Sequence, residues 1–547
     1  MGQFTSSSAH SEEQPQLPPV QNVDQFQDRL RQLLRSRCLS RQEEDWFRSV
    51  FSKFSSTSET SPTWNESDLV EFVGVTLPDE LKPALKAAGP LIHRCMMRIG
   101  SFPYQNQPIS TLTTDVALVA VIVLLRRHES SARAISDVSA SEDDEEVRWA
   151  EWLRRILFQS MVIRDSSTAD HSVSRSNSDD EDLLRAHKFV SNSNKWRDWE
   201  HNPRVAHTGP PVISTSELPS SRSQDFSGFI PKDELEALIK LLLASQLYLT
   251  GNGPEILAQE GEQLDACVNS IVAAFRQSDE ASGITWESFN KVFSESPTIF
   301  SGFTRLFAPL VVQGGIKREQ IYSATRTEAA TLLRGAFSVS RAERLPTGSI
   351  FDLPILTELA TFLPEGRVAF QSASVLYTAN DKFDISTIEN HLSQRNQPLV
   401  LLISGVTSGQ GNSGGNASTF IGAFLPDKDQ EKQEIETGKA PMRASLFELR
   451  PAHRVSSSPE SGVAVERGTG DTVEIRSAEG SVEAGRLTLN GQTQIASFHP
   501  GKRSKNDGVA SLDFQVGAVD LIGFASGKDL LDLATDKTFF VSSIPGH

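Results

Sequence analysis

The sequence predicts an α+β protein whose helices come first and whose strands come last. Three observations carry this. Apolar residues recur at helical spacing through residues 22–164 and again through 229–339. From residue 340 onward they give way to short apolar segments with a period of two, bounded by turn residues. A stretch dominated by Ser, Asp, Asn and Pro, 165–228, interrupts the helical pattern.

Residues 1–21 are rich in Ser, Gln and Pro and are expected to be disordered. In the first helical block Trp46, Phe47, Val50, Phe51 and Phe54 make one apolar stripe. The longest apolar run, Val116 to Leu125, is too short to span a bilayer and reads as a buried helix. Ser136 to Glu146 is acidic and Ser-rich and reads as a loop. The 165–228 stretch reads as a low-complexity linker or insertion in which Trp196 and Trp199 dock locally. Beyond it Leu235, Leu238, Ile239 and Leu242 form a stripe behind Asp233, the expected N-cap. Leu264, Cys267, Val268, Ile271, Val272 and Phe275 form another.

A weak internal repeat links the two helical blocks. Val50 to Phe54, a polar loop and Thr63-Trp64-Asn-Glu66 parallel Val272 to Phe275, a polar loop and Thr285-Trp286-Glu287. Helix, polar loop, helix is the EF-hand arrangement, so degenerate EF-hand-like pairs are predicted. Calcium needs converging carboxylates, a glycine at the sharp turn and a final bidentate Glu. The first loop keeps only Glu59 and Glu66; the second has Asp279, Glu280 and Gly283 out of phase, with Ser288 near the final ligand position. No metal is expected in either.

The strand-rich region begins near Leu353 and carries polar insertions at about 405–417, 426–440 and 454–471. Within it Ser386-Thr-Ile-Glu389 has the form of a capping box and opens a short helix. In the last strand Leu512, Phe514 and Val516 share one face, while Asp513 and Gln515 take the other. The phase slips at Gly517, the residue type a β-bulge uses. Phe514, Val516, Leu521 and Phe524 are therefore expected in the core, and 531–547 as a tail.

At these residues the chain resembles the TLDc family. Val375-Leu376-Tyr377-Thr378 followed by Phe383-Asp384-Ile385-Ser386 looks like that domain's opening. Pro398 to Ile403 and Phe420-Ile421-Gly422-Ala423-Phe424 are similar to its paired strands. Leu446-Phe447-Glu448-Leu449 and Val519 to Phe524 fall in the family's order. The family's glycine cluster is reduced here to Ala484-Gly485-Arg486-Leu487. The resemblance covers about residues 340–530 and implies a TLDc β-sandwich with short flanking helices. It also implies a role in oxidative-stress resistance and binding to the vacuolar or lysosomal proton-pumping ATPase. Over its full length the chain looks like fungal members whose process touches telomere capping, and an indirect link is implied.

Composition narrows the chemistry. A formal charge of −17, with no Lys/Arg block, disfavours direct nucleic-acid binding, because phosphate neutralisation supplies that affinity. Three scattered cysteines, Cys38, Cys95 and Cys267, fit buried thiols in a reducing compartment. No secretory signal is visible. Gly409-Gln-Gly411-Asn-Ser-Gly414 matches a dinucleotide fingerprint, but a strand rather than a helix is predicted to follow it, so it reads as a hairpin insertion. His391 and His499 read as surface or cap residues, Lys502-Arg503-Ser-Lys505 as a solvated turn, and Asp143 to Glu146 as low-complexity sequence. No catalytic, cofactor-binding or metal-ligating residue is singled out.

One motif carries a mechanism. Met1-Gly2-Gln3-Phe4-Thr5-Ser6 fits N-myristoylation, with Gly2 as the acylated residue and Ser6 at the hydroxyl position. A single acyl chain binds membranes only marginally, so a protein partner must supply the second contact. The expected function is a non-enzymatic adaptor or regulator, cytoplasmic, with peripheral association at the vacuolar membrane through its pump partner. The competing classes are a peroxide-handling enzyme and a calcium-responsive module. Cys267 in an apolar helix stripe and Cys95 beside Met96 and Met97 argue against a peroxidatic thiolate; the missing ligands argue against calcium sensing.

Overall fold

The computed structural model describes residues 31–56 (save 33 and 37), 62–101, 111–125, 154–163, 228–247, 253–275, 283–337, 348–363, 373–406, 418–428, 444–457, 463–468, 471–477, 485–500 and 511–524. The readings at Gly2 and the rest of 1–21, Glu59, the acidic stretch through Asp143 and Glu146, Trp196 and Trp199, Asp279 and Glu280, 409–414, 502–505 and 531–547 lie outside these residues.

Helices α1 (Arg41–Phe54), α2 (Glu66–Val75), α3 (Lys82–Gly100) and α4 (Thr114–Leu124) make two helix–loop–helix units. Ser40 and Glu43 close α1 with a capping box, the Ser40 hydroxyl accepting from Glu43 N at 3.2 Å and Glu43 Oε2 from Ser40 N at 2.8 Å. The Trp46, Phe47, Val50, Phe51, Phe54 stripe is fully buried. Its two indoles are paired as a dry interior requires: Trp46 Nε1 donates to Pro309 O at 3.0 Å, and Trp64 Nε1 to Phe51 O at 2.8 Å. Every residue of α4 from Val116 onward is buried, matching its unbroken apolar sequence. Among the described residues no helix is long and apolar enough to cross a membrane.

Two further units follow: α5 over 154–161 with α6 (Lys232–Leu247), and α7 (Gly253–Ala274) with α8 (Trp286–Glu295). The units pair through very short antiparallel contacts. Strand β1 (Thr63–Trp64) pairs with β2 (Leu112–Thr113), placing Trp64 opposite Leu112. In the second pair Ile230 bridges Ile284. The four inner residues, Trp64, Leu112, Ile230 and Ile284, are all buried. The sequence comparison matched the first and fourth of these units; spatially each pairs with its neighbour instead. Asp233 lies inside the first turn of α6, not at its cap, and Leu235 N bonds to Pro231 O at 3.1 Å. Proline without a free N–H is at home there.

Short helices α9 (Gly302–Phe307), α10 (Arg318–Ser323), α11 (Arg326–Phe337) and α12 (Leu353–Leu359) lead to the sheet. The expected start of the strand region at Leu353 is corrected: this run is helix α12, capped by Asp352, whose Oδ1 accepts from Ile355 N at 2.8 Å. All seven α12 residues are buried, so a helix buried on every side mimicked a buried strand. The first sheet strand is β3 (Ser374–Asn380). Phe383 and Asp384 lead into α13 (Ile385–Gln394). Its cap is Asp384, not Ser386, and Glu389 instead pairs with Arg467 at 3.3 Å. The helix thus starts two residues ahead of the expected box, which brings Ile385 into the helix as a buried residue.

The remaining strands are β4 (Leu399–Val406), β5 (Ser418–Leu425), β6 (Ser445–Arg450), β7 (Arg454–Ser457), β8 (Val463–Arg467), β9 (Thr472–Ser477), β10 (Arg486–Asn490), β11 (Ile495–His499) and β12 (Leu512–Gly523). They form one antiparallel sheet in the order β7-β6-β5-β4-β12-β11-β10-β9-β8, with β3 also pairing β12. The expected insertion at 454–471 thus contains two edge strands of four and five residues, too short to show a period of their own although Val455 is buried. The bulge falls where expected: the β12–β4 register shifts between Val516 and Ala518, around Gly517. It lets β12 turn between β11 at its start and β3 at its end.

Strand β4 is buried on both faces. Val400 and Leu402, with Ile522 of β12 and Phe524 just past it, join the helical core. Leu401 and Ile403, with Phe514, Val516, Val519 and Leu521, join a second core that also holds Ile475, Leu487 and Phe498 from the far wing of the sheet. The two wings face each other: a Cβ on Gly485 would lie 3.1 Å from Leu446 Cδ1 of β6. Phe514, Val516, Leu521 and Phe524 are all buried, as expected.

Candidate functional site

The most chemically loaded place among the described residues is a buried polar cluster where the β6–β7 hairpin meets the helices. Ser296, the C-cap of α8, brings its Oγ to 2.7 Å from His453 Nε2. His453 Nδ1 lies 3.1 Å from Glu358 Oε1 on α12, and Ser270 Oγ of α7 donates to the same oxygen at 2.7 Å. None of the four residues is more than 2% exposed. With Glu358 accepting from Ser270, the same oxygen takes Nδ1–H of His453, which leaves Nε2 to accept from the Ser296 hydroxyl.

This is the connectivity of a serine–histidine–acid relay, set in a backbone unlike that of an acyl-transfer site. Ser296 N–H is spent on Val292 O at 3.0 Å, so it offers no donor to an oxyanion. Its hydroxyl sits at a helix C-terminus, where the dipole opposes developing negative charge. Ser296 is 0% exposed. The cluster instead fastens the hairpin: His453 N donates to Ser270 O at 3.1 Å and Val455 N to Glu295 Oε2 at 3.3 Å.

Charged groups ring the cluster. Arg450 Nη2 donates to Cys267 Sγ at 3.4 Å, and its guanidinium lies 4.6 Å over the Phe420 ring. Burial, then the Glu358 carboxylate, push the Cys267 thiol well above its usual range. Burial likewise pushes Cys95 up to about 12, against a 3.2 Å bond from Ser160 Oγ. Burial thus disfavours the thiolate of both, and Cys38 is only half-buried. Burial pushes Asp352 up to about 6 and Glu448 to about 7, the latter against Arg454 at 3.6 Å.

A second buried carboxylate secures the other end of the junction. Asp520 on β12 accepts from Ser349 N at 3.1 Å, Ser349 Oγ at 2.8 Å, Ile350 N at 2.8 Å, Phe351 N at 2.9 Å and Thr378 Oγ1 at 2.6 Å. Burial would raise its carboxyl, but these bonds overcome that and hold it below the usual range. Gly348 fits beside it because a Cβ would lie 2.2 Å from Asp520 Oδ2.

Residues quoted from the sequence end in different places. Gly2 lies outside the described residues. Among the described residues no group of three or more His, Cys, Asp or Glu could hold a metal ion. In the first loop the carboxylate that folds back is Asp68, not Glu66: Asp68 Oδ2 accepts from Asn65 N at 3.1 Å while Asn65 Oδ1 accepts from Asp68 N at 2.9 Å. Ser270, Ser296, Glu358, His453 and Asp520 carried no pattern that singled them out. A signal existed for two of them, since Glu358 and Asp520 are lone carboxylates within apolar runs.

Fold and site define a class: paired helix–loop–helix units docked on a C-terminal antiparallel sheet, with chemically capable side chains consumed at the junction. The chain is similar to fungal proteins named restriction of telomere capping protein 5. It is 21% identical to that of Colletotrichum graminicola over 421 residues, 71% of this chain and 63% of the relative. The Coccidioides posadasii protein is 23% identical over 480 residues, 77% of this chain and 68% of the relative. The Pyricularia oryzae protein is 30% identical over 213 residues, 36% of this chain and 34% of the relative. The chain thus spans less than two thirds of the length of the first of these. No family model and no solved structure matches.

Proposed function

We propose that this chain is a non-enzymatic adaptor or regulator of the TLDc type. The observation that carries the reading is the use made of its chemistry-bearing side chains: Ser296, His453, Glu358 and Asp520 are buried and spent on joining helices to sheet. A side chain that must hold a junction is a poor candidate for turnover. The names of the relatives support a regulatory role connected with telomere capping. The TLDc resemblance supports the vacuolar proton-pumping ATPase as partner, with the telomere link indirect and the stress association following from pump control. The helix–loop–helix pairs, with one short antiparallel contact per pair, support degenerate EF-hand-like units without calcium. Acylation at Gly2 supplies a weak membrane contact that the partner completes.

An affinity capture of the full chain beside its Gly2→Ala variant tests this. Pump subunits should co-purify with the wild type from a membrane fraction and fall with the variant, while intact-mass analysis shows the acyl adduct on Gly2 only in the wild type. Absence of pump subunits from both captures refutes the partner; an unmodified Gly2 refutes the anchor.

A further inference from the structure

Each helix–loop–helix unit repeats one local pattern: a buried bridge residue, then the cap of the exiting helix, then the third helical position N3. These triplets are Trp64, Asn65, Asp68; Leu112, Thr113, Val116; Ile230, Pro231, Glu234; and Ile284, Thr285, Ser288. N3 carries a carboxylate in the first and third units and none in the second and fourth. An arginine from a different unit or helix meets it in both cases. Arg326 of α11 places Nη2 3.2 Å from Asp68 Oδ1 and 2.7 Å from Glu71 Oε2. Its guanidinium also lies 5.7 Å over the ring of Phe54, the last residue of the entering helix. Arg94 of α3 places Nη2 2.5 Å from Glu234 Oε2 and 3.4 Å from the carbonyl oxygen of Met161, the last residue of α5.

We propose that Arg94 and Arg326 are resident cations of the third and first units, each guanidinium joining the end of an entering helix to the N3 carboxylate of the exiting one. In calcium-binding pairs an ion makes that connection between the two helices. A guanidinium is permanently charged, and here one Nη2 with its two hydrogens reaches both partners in each case. The unit then keeps one interhelical angle at any divalent-ion concentration. The connections also reach outward. Arg94 ties the first pair of units to the second, and Arg326 ties α11 to α2, so the helical half locks as one body. The comparison with calcium-binding pairs rests on the EF-hand-like reading above; the arginine contacts do not.

Hydrogen exchange on the full chain tests it, comparing wild type with Arg94→Gln, Arg94→Lys and Glu234→Gln. Arg94→Gln and Glu234→Gln should each speed exchange across 154–163 and the first turns of α6 by about ten- to a hundredfold, the loss expected for one charge-assisted contact. Exchange in β5 should stay unchanged, which shows that the variants remain folded. Arg94→Lys should recover only part of the protection, because the lysine side chain ends about one bond short of the Nη2 position and its ammonium cannot hold both contacts. Wild-type exchange rates in Arg94→Gln and Glu234→Gln would overturn the proposal, as would full recovery by lysine. Calcium titration of the wild type is a separate arm. Saturable binding there would sink the metal-free reading of the units while leaving the arginine result to stand or fall by its own exchange data.

Discussion

Replacing Asp520 tests how the sheet is fastened to the helical half. Its Oδ2 accepts from two backbone donors, Ile350 N and Phe351 N, and its Oδ1 from Ser349 N and two hydroxyls. In Asp520→Asn the amide NH2 must face one set. The Oδ1 side is the better choice, since the Ser349 and Thr378 hydroxyls can rotate to accept. The Ser349 N–H is then left without an acceptor, at about 1–3 kcal/mol, and the bonds that remain lose their charge assistance. A total loss of about 3 kcal/mol is expected. Asp520→Ala orphans three backbone N–H groups and should cost about 5 kcal/mol or more. Against a domain stability of about 5–15 kcal/mol, the alanine variant should be marginal and the asparagine variant soluble but weakened. The pH dependence has a fixed sign. A carboxyl held below its usual range contributes stability that is present above its unfolded pKa and lost as pH falls through the folded one. Urea unfolding of wild type and Asp520→Asn at pH 7 and in acid measures both effects, with the gap between them closing toward low pH. An asparagine variant within about 1 kcal/mol of wild type at pH 7 would show that the clamp is dispensable.

Two further outcomes follow from the sheet. Phe514→Ala removes a side chain only 2% exposed and should cost about 3–5 kcal/mol, so partner binding disappears through misfolding, whereas deleting 408–415 leaves the fold intact; a soluble, cooperatively folded Phe514→Ala protein that lost only pump binding would place Phe514 on a contact surface instead. Glu448, pushed up by burial to about 7, has the opposite sign to Asp520: its contribution is complete below its ordinary value near 4.5 and is lost as pH rises through about 7. Glu448→Gln should flatten that decline in a series of thermal melts, and an unchanged pH profile would mean that Glu448 remains ionised in the fold.

What the chain determined by itself is its local order. The Trp46 to Phe54 stripe, the Val116 to Leu125 helix, the alternation through Phe514 and Val516 and the slip at Gly517 are legible because periodicity reports which face of an element meets a core. The same signal misled at Leu353 to Leu359, where burial on all sides removes periodicity, and at β7 and β8, which at four and five residues are too short to show it. Tertiary structure decided what sequence spacing cannot express. Ser296 and His453 meet from 157 positions apart, Asp520 and Ile350 from 170, and Arg94 and Glu234 from 140. A hydrogen bond needs its partners within about 3 Å, and the local sequence around either one holds no record of the other. Partnership of helix–loop–helix neighbours, the shared core under β4 and the burial that shifts Glu448, Asp352 and Cys267 all arise only when distant segments pack and exclude water.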